Sequence, residues 1–219
     1  MLLKPIAFFR SPLTSKFGIP RQSGVVEDLV GEIVFEKEFS SPDAIRGLEG
    51  FDYIWLIWGF SANKHASSGL TVRPPRLGGN ERLGVFATRS PFRPNPIGLS
   101  CVKIHGIGKD GVLQVLGADL MDGTPIYDIK PYVPYADAHP EARGGFTDSN
   151  SWQPLEVIIP KEIAAVFTAT ELSSLKGVLA QDPRPQYHDD PDRIYGMPFA
   201  GKDVKFRVND TRLTVIKIE

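Results

Sequence analysis

Apolar residues in this chain come in short runs broken by glycine, proline and aspartate. Runs of that kind predict strands rather than long helices. "KPIAFF" opens the series, and "GEIVFEKEF" alternates well enough for a second strand. "FDYIWLIWGF" reads as a buried strand, so Phe51, Tyr53, Trp55, Trp58 and Phe60 are assigned to packing rather than to base stacking. "RLGVFAT", "IGLSCVKIHGI", "GVLQVLGADL" and "PIYDIKPYV" follow as strands. One short helix is predicted among them, in "SPDAIRGLEGF". There Ser41 can cap, Pro42 suits the first turn, and Gly47 marks the stop. The expected fold is mainly β, with the strands forming a β-barrel.

The pattern changes near Ala136. "ADAHPEARGGFTDSNSWQP" is polar and rich in small residues, and reads as a linker or long loop. Beyond it, "TATELSSLKGVLAQDPRP" has helical spacing, with Leu172, Leu175 and Leu179 on one face and Pro183 as the stop. "DVKFRVNDTRLTVIKIE" reads as a hairpin turning at Asn209 and Asp210. The expected division is a β-barrel domain over 1–135, a linker over 136–154, and a small C-terminal α+β domain over 155–219.

Composition narrows the function classes. The 219 residues carry a formal net charge of −1, so a nucleic-acid surface has to be a local patch. The single cysteine, Cys101, excludes an internal disulfide, reads as a small core residue, and fits a reducing cytoplasm. "YIWLIWGF" is too short to span a bilayer. The start shows no signal peptide, and a cytoplasmic protein is expected. His65, His105, His139 and His188 are scattered without metal-ligand spacing, so no metal is expected. No Walker loop is present, and no GxGxxG follows a strand.

Candidate chemistry concentrates in three segments. Arg73, Arg76, Arg82, Arg89 and Arg93 share a stretch whose only acid is Glu81. Such forks match phosphate and carboxylate, or serve as a solvated loop with distant ion partners. Within that stretch, "RPNPIG" holds Asn95 between two prolines, as a fixed acceptor for an amino group or as an ordinary Asn-Pro turn. "DLMDGTPIYDIKPY" gathers Asp119, Asp122 and Asp128 around a turn, to accept from hydroxyl or amino groups or simply to make the turn. "IPRQSG" offers Arg21, Gln22 and the backbone of a Ser-Gly pair.

Taken together, "IPRQSG", "GLEGFDYIWLIWGF", "TVRPPRLGGNERLGVFATRSPFRPNPIGLS", "DLMDGTPIYDIKPYVPYAD" and "LAQDPRP" resemble the TsaA-like, or TrmO, family, in the family's order and over most of the chain. The resemblance implies a non-Rossmann β-barrel methyltransferase that binds S-adenosylmethionine near a homodimer interface, with a small C-terminal domain. It implies methylation at N6 of threonylcarbamoyladenosine next to the tRNA anticodon. It places cofactor contacts at Gln22, Ser23, Gly24, Ser61, Ala62, Arg89, Leu99, Asp122, Gly123, Thr124 and Pro125. "FSAN" departs from a His-Gln pair common in the family, which leaves backbone contacts at Ser61 and Ala62.

On that footing Asn95 orients the reacting amino group, and Asp128 or Asp122 takes the proton. Arg73 and Arg76 hold tRNA backbone, and Arg93 or Lys130 pairs with the carboxylate of the carbamoyl threonine. The competing readings are methylation of another nucleoside or small molecule, and a non-catalytic module that binds S-adenosylmethionine or RNA.

Overall fold

Among the described residues, eight strands fall in the first part of the chain: β1 (Ala7–Arg10), β2 (Val30–Phe35), β3 (Tyr53–Gly59), β4 (Thr71–Val72), β5 (Leu83–Gly84), β6 (Ile97–Ile107), β7 (Leu113–Leu116) and β8 (Pro125–Pro131). This computed structural model describes residues 2–63, 69–74, 81–108, 110–149, 153–185 and 190–219. Six of the strands pair in the order β1-β2-β7-β6-β3-β8, and β8 returns to pair with β1, closing the ring. Every pairing in the ring is antiparallel.

Strand alternation fills the ring. Ile54, Leu56 and Trp58 of β3 point inward with Phe9, Ile33, Val102, Leu113, Val115 and Ile126. Where side chains are large, glycine makes room. A Cβ on Gly31 would lie 2.1 Å from the Phe9 ring. We expect Gly31→Val to destabilise the fold by about 1–3 kcal/mol, as overpacking does. A denaturant midpoint unchanged from the parent would contradict this packing.

The second part holds α1 (Pro134–Asp137), β9 (Glu156–Ile158), α2 (Lys161–Ala164), α3 (Ala169–Ala180), β10 (Tyr195–Phe199), β11 (Lys202–Asn209) and β12 (Arg212–Ile218). Its four-stranded sheet runs β10-β11-β12-β9, with β9 parallel to β12. The hairpin turns where Asp210 takes a φ of 50°, beside Asn209 as the sequence suggests. Helix α3 opens on a reciprocal cap, in which Thr168 accepts from the Glu171 amide and Glu171 accepts from the Thr168 amide.

Three expectations change. "SPDAIRGLEGF" forms two single 3-10 turns, Pro42–Ala44 and Leu48–Gly50, separated by Gly47 at φ 92°. Ser41 does cap the first, accepting from the Asp43 amide. "RLGVFAT" leaves the sheet after two residues and winds into a 3-10 turn, Val85–Ala87, with Val85 buried and Phe86 exposed. β7 stops at Leu116 because Gly117 takes a left-handed turn, φ 77°.

The segment between β1 and β2 does not belong to the ring core. Leu13, Val26 and Leu29 are buried among Leu175, Val178, Met197, Phe199 and Phe206 of the second part, with Phe17 and Ile19 packed beside them. Polar contacts follow the same path. The Ala200 amide donates to the Pro12 carbonyl at 2.9 Å. The Ser174 hydroxyl donates to the Asp28 carbonyl at 2.7 Å. The loop carrying Gln22 to Gly24 is therefore anchored at both ends by the C-terminal sheet and α3.

Candidate functional site

Three loops meet at one end of the ring. The Gln22–Gly24 loop is docked by a hydrogen bond from the Gly24 amide to the Gly117 carbonyl, 2.8 Å. Both glycines have positive φ, 78° and 77°. A Cβ on Gly117 would come within 3.4 Å of the Gly24 backbone, so the two chains meet at glycine-to-glycine distance. Nothing lies within 4 Å of where a Gly24 Cβ would be, so that side of the loop opens outward.

Just past Gly117, Asp119 sits partly buried between Ala118 and Leu120, each 1% exposed. The Ser100 hydroxyl of β6 donates to its Oδ1 at 2.5 Å. Trp58 Nε1 of β3 donates in turn to Ser100 Oγ at 2.9 Å. Burial pushes the Asp119 carboxyl above its ordinary range. The Ser100 hydroxyl, the Asp119 amide, the Arg89 charge and the Ser23 amide all work against that rise.

The third loop is the arginine-rich one. Arg89 donates from Nη1 to Gln22 Oε1, tying this loop to the first. Arg93 donates from Nη1 to the Thr88 carbonyl at 3.1 Å, so its fork braces its own loop. The Thr88 hydroxyl accepts from the Ser90 amide, and the Ser90 hydroxyl from the Phe92 amide. These successive local turns give the segment a fixed path without regular structure. Phe86 and Phe92 stand out from it, 75% and 50% exposed.

The Asp122–Pro125 turn lies beside β1. The Ser11 amide donates to Asp122 Oδ1 at 3.0 Å, and the Gly123 amide to the Phe9 carbonyl at 2.8 Å. The Thr124 hydroxyl is buried and donates to the Met121 carbonyl at 2.7 Å, so this side chain serves the turn itself. Asp122 borders a cleft of about 440 Å³ that Arg10, Ser11, Val30 and Glu32 also line.

Leu99 and Asp128 fall elsewhere. Both are in register with Ile57 of β3, on the outer face of the ring. Asp128 is ion-paired to Lys130 at 2.9 Å and accepts from the Ile129 amide at 2.9 Å. Asn95 is exposed just before β6, and among the described residues its side-chain amide makes no hydrogen bond. Its neighbour Pro96 accepts from the Phe60 amide at 2.9 Å, which sets Ser61 and Ala62 beside the Asn95 turn. Arg73 is exposed. Arg76, His65 and His188 lie outside the described residues. Among the described residues no group of three or more metal-ligating side chains occurs.

The structure thus joins Gln22, Ser23, Gly24 and Arg89 in one cluster, sets Asn95 beside Ser61 and Ala62, and separates Leu99, Asp128 and Lys130 onto the ring's outer face. Ser100 was not singled out by the sequence, and Asp119 was named only as one of three carboxylates around the "DGTP" turn, without a role in the site. The signal for Asp119 was present only as an acid between two apolar residues of "ADL".

Residues 8–138 match the tRNA-methyltransferase O N-terminal domain, and residues 153–219 match the TrmO C-terminal domain. The chain is 40% identical over 225 residues to a tRNA (adenine(37)-N6)-methyltransferase of Escherichia coli strain K12, covering 98% of this chain and 96% of the relative. A Pseudomonas aeruginosa protein, provisionally named an S-adenosylmethionine-dependent methyltransferase, is 40% identical over 209 residues, covering 92% and 90%. The crystal structure of TrmO from Pseudomonas aeruginosa superposes with a TM-score of 0.81 at 32% identity, covering 100% of this chain and 98% of that one. The chain belongs to the tRNA-methyltransferase O family.

Proposed function

We propose that this protein uses S-adenosylmethionine to methylate N6 of threonylcarbamoyladenosine next to the anticodon of tRNA. The observation that carries the reading is the convergence of Gln22, Ser23, Gly24 and Arg89 at the ring's end, in a chain related over its full length to a tRNA (adenine-N6)-methyltransferase. The donor set suits the cofactor. A guanidinium fork matches its carboxylate, open backbone at Gly24 admits a close approach, and exposed Phe86 and Phe92 offer apolar cover to an aromatic base. In this reading the closed ring is the barrel of the methyltransferase domain. Asp122, Gly123, Thr124 and Pro125 offer backbone contacts, as do Ser61 and Ala62.

S-adenosylmethionine, when bound, supplies an electrophilic methyl group on a sulfonium. The chain's own work is alignment, which is worth about 7–11 kcal/mol where the geometry is productive. Asn95 orients the N6 nitrogen, because its amide is exposed on a stretch that two prolines stiffen. Of the two carboxylates offered for the proton, both oxygens of Asp128 are engaged, by Ile129 and Lys130. Asp122 uses Oδ1 for the Ser11 amide, and its Oδ2 accepts no hydrogen bond among the described residues, so the proton is assigned to Asp122. Arg93 braces its own loop and Lys130 pairs with Asp128, so either would exchange an internal partner for the threonine carboxylate.

The division into a domain over 1–135, a linker over 136–154 and a domain over 155–219 is kept as a sequence-based proposal. The two separate cores support it, with the 13–29 segment crossing into the second. Tyr53, Ile97 and Leu99 expose apolar surface on the outer face of β3 and β6, and this face is proposed as the seat of a second copy. No helix among the described residues is long and apolar enough to cross a membrane. A cytoplasmic location belongs to the same proposal and rests on the proposed tRNA substrate.

Arg73 tests the tRNA half of this reading. We expect Arg73→Glu to weaken tRNA binding by about three- to tenfold and to flatten the salt dependence by about one charge, with cofactor affinity unchanged. Filter binding across salt concentrations, paired with calorimetric titration of S-adenosylmethionine, gives both numbers. Parallel losses in the two affinities would contradict an RNA role for this face.

A further inference from the structure

We propose that the C-terminal core positions the cofactor loop: helix α3, through Gly177 and Ser174, holds residues 13–29 where they present Gln22–Gly24 to S-adenosylmethionine. This rests on the reading of that loop given above. Gly177 and Ser174 are positioning residues, acting through Val26 and Asp28. The segment leaves β1 after Arg10 and rejoins the ring at Val30 of β2. Between those points its large apolar side chains enter the other core. Leu13, Val26 and Leu29 are buried there, and the Phe17 ring stacks on Phe206 with centroids 6.4 Å apart. A Cβ on Gly18 would lie 2.2 Å from Met197 Sδ, so the backbone itself rests on β10. At the far end Ser174 donates to the Asp28 carbonyl at 2.7 Å, and Ser173 donates to Asp28 Oδ2 at 2.6 Å.

The ring holds the same segment by its backbone. The Gly24 amide donates to the Gly117 carbonyl at 2.8 Å, the Gly117 amide to the Leu29 carbonyl at 2.9 Å, and the Asp122 amide to the Leu13 carbonyl at 2.9 Å. The loop is thus a strap between two cores, with its side chains in one and its tip on the other. A Cβ on Gly177 would lie 2.6 Å from Val26 Cγ1. Glycine in the middle of a helix weakens it relative to alanine. Here the missing side chain lets α3 lie directly against Val26, two residues from Gly24. Val26 is β-branched and stiff at χ1, so an added methyl is met by a shift of the loop backbone.

Gly177→Ala separates helix strength from loop position. Alanine strengthens the helix while it crowds Val26, so the melting temperature is expected to stay within about 3 °C. In the ligand-free protein, hydrogen exchange at the Gly24 amide is expected to quicken about tenfold. The dissociation constant for S-adenosylmethionine is expected to rise about tenfold. Adding Val26→Ala to Gly177→Ala makes room for the new methyl, and is expected to return both quantities to within about threefold of the parent. Ser174→Ala removes the donor to Asp28 without adding bulk, and is expected to raise both about threefold. Thr168→Ala is the control. Its hydroxyl bonds Glu171, so the change uncaps α3 away from the loop. It is expected to lower the melting temperature by about 2–4 °C and to leave exchange and affinity within about twofold.

Unchanged exchange at Gly24 in both Gly177→Ala and Ser174→Ala overturns the proposal. So does a Thr168→Ala protein that loses as much affinity as Gly177→Ala, because loss of stability alone would then explain the result. Failure of Val26→Ala to restore the Gly177→Ala protein overturns it too. If the parent protein itself shows no binding of S-adenosylmethionine, the cofactor reading fails instead. Exchange at Gly24 and its restoration then still decide whether α3 positions the loop.

Discussion

Asn95→Ala should lower turnover on tRNA by about a hundredfold or more, with the affinity for S-adenosylmethionine held within about twofold. The asymmetry follows from where Asn95 stands. Its side chain is exposed, makes no hydrogen bond among the described residues, and is clear of the Gln22–Arg89 contact. Truncating it removes no internal partner, so the fold and the cofactor end should not register the change. What is lost is an oriented acceptor and donor for the amino group of the base. A group that acts only on the reacting nitrogen shows itself in kcat rather than in cofactor binding. The acceptor makes that orientation matter, because N6 of the modified base is a ureido nitrogen whose lone pair is delocalised. Steady-state kinetics with a calorimetric control gives both quantities. Equal losses in turnover and cofactor affinity would remove Asn95 from this role.

Arg89→Met should raise the dissociation constant for S-adenosylmethionine by about 10- to 100-fold, the range expected for losing hydrogen bonds made by a charged group. Arg89→Lys should recover little of it, because a point charge does not reproduce a planar fork. Arg89 is exposed and ties two loops together through Gln22, so the substitution also frees the first loop from the third. Structural damage is separable from lost contact by the melting temperature. The ring core contains neither residue. An Arg89→Met protein that binds the cofactor as tightly as the parent would dissolve the proposed cofactor end of the site.

Elements with strong local signals were legible in the sequence. The final hairpin carried regular alternation on either side of Asn209 and Asp210, and Asp210 accepts the left-handed conformation that such a turn demands. Helix α3 announced itself through Leu172, Leu175 and Leu179 on one face, while its reciprocal cap between Thr168 and Glu171 was seen only in the structure. "RLGVFAT" was misleading because its alternation fits a strand. The chain instead winds into the 3-10 turn Val85–Ala87, which buries Val85 and leaves Phe86 exposed.

The path of residues 13–29 was not legible for a different reason. Leu13, Phe17, Ile19, Val26 and Leu29 are spaced without a period, and the core they enter is otherwise built from residues 155 onward. No local window contains that information. The site divides in the same way. Its loops stood out as an unusual arginine cluster, a proline-bracketed asparagine and an acid-rich turn. The pairing of Gln22 with Arg89, and of Ser100 with Asp119, arises only when distant segments meet.

The central claim is methyl transfer to a particular modified adenosine, and labelled S-adenosylmethionine tests it directly. The protein is incubated with tRNA from cells that carry the threonylcarbamoyl modification and with tRNA from cells that lack it. The account predicts label in the first pool and none in the second. Label in both pools would contradict the substrate assignment while keeping a methyltransferase. No label in either, with the cofactor bound, would contradict the enzyme assignment and leave a binding module in its place.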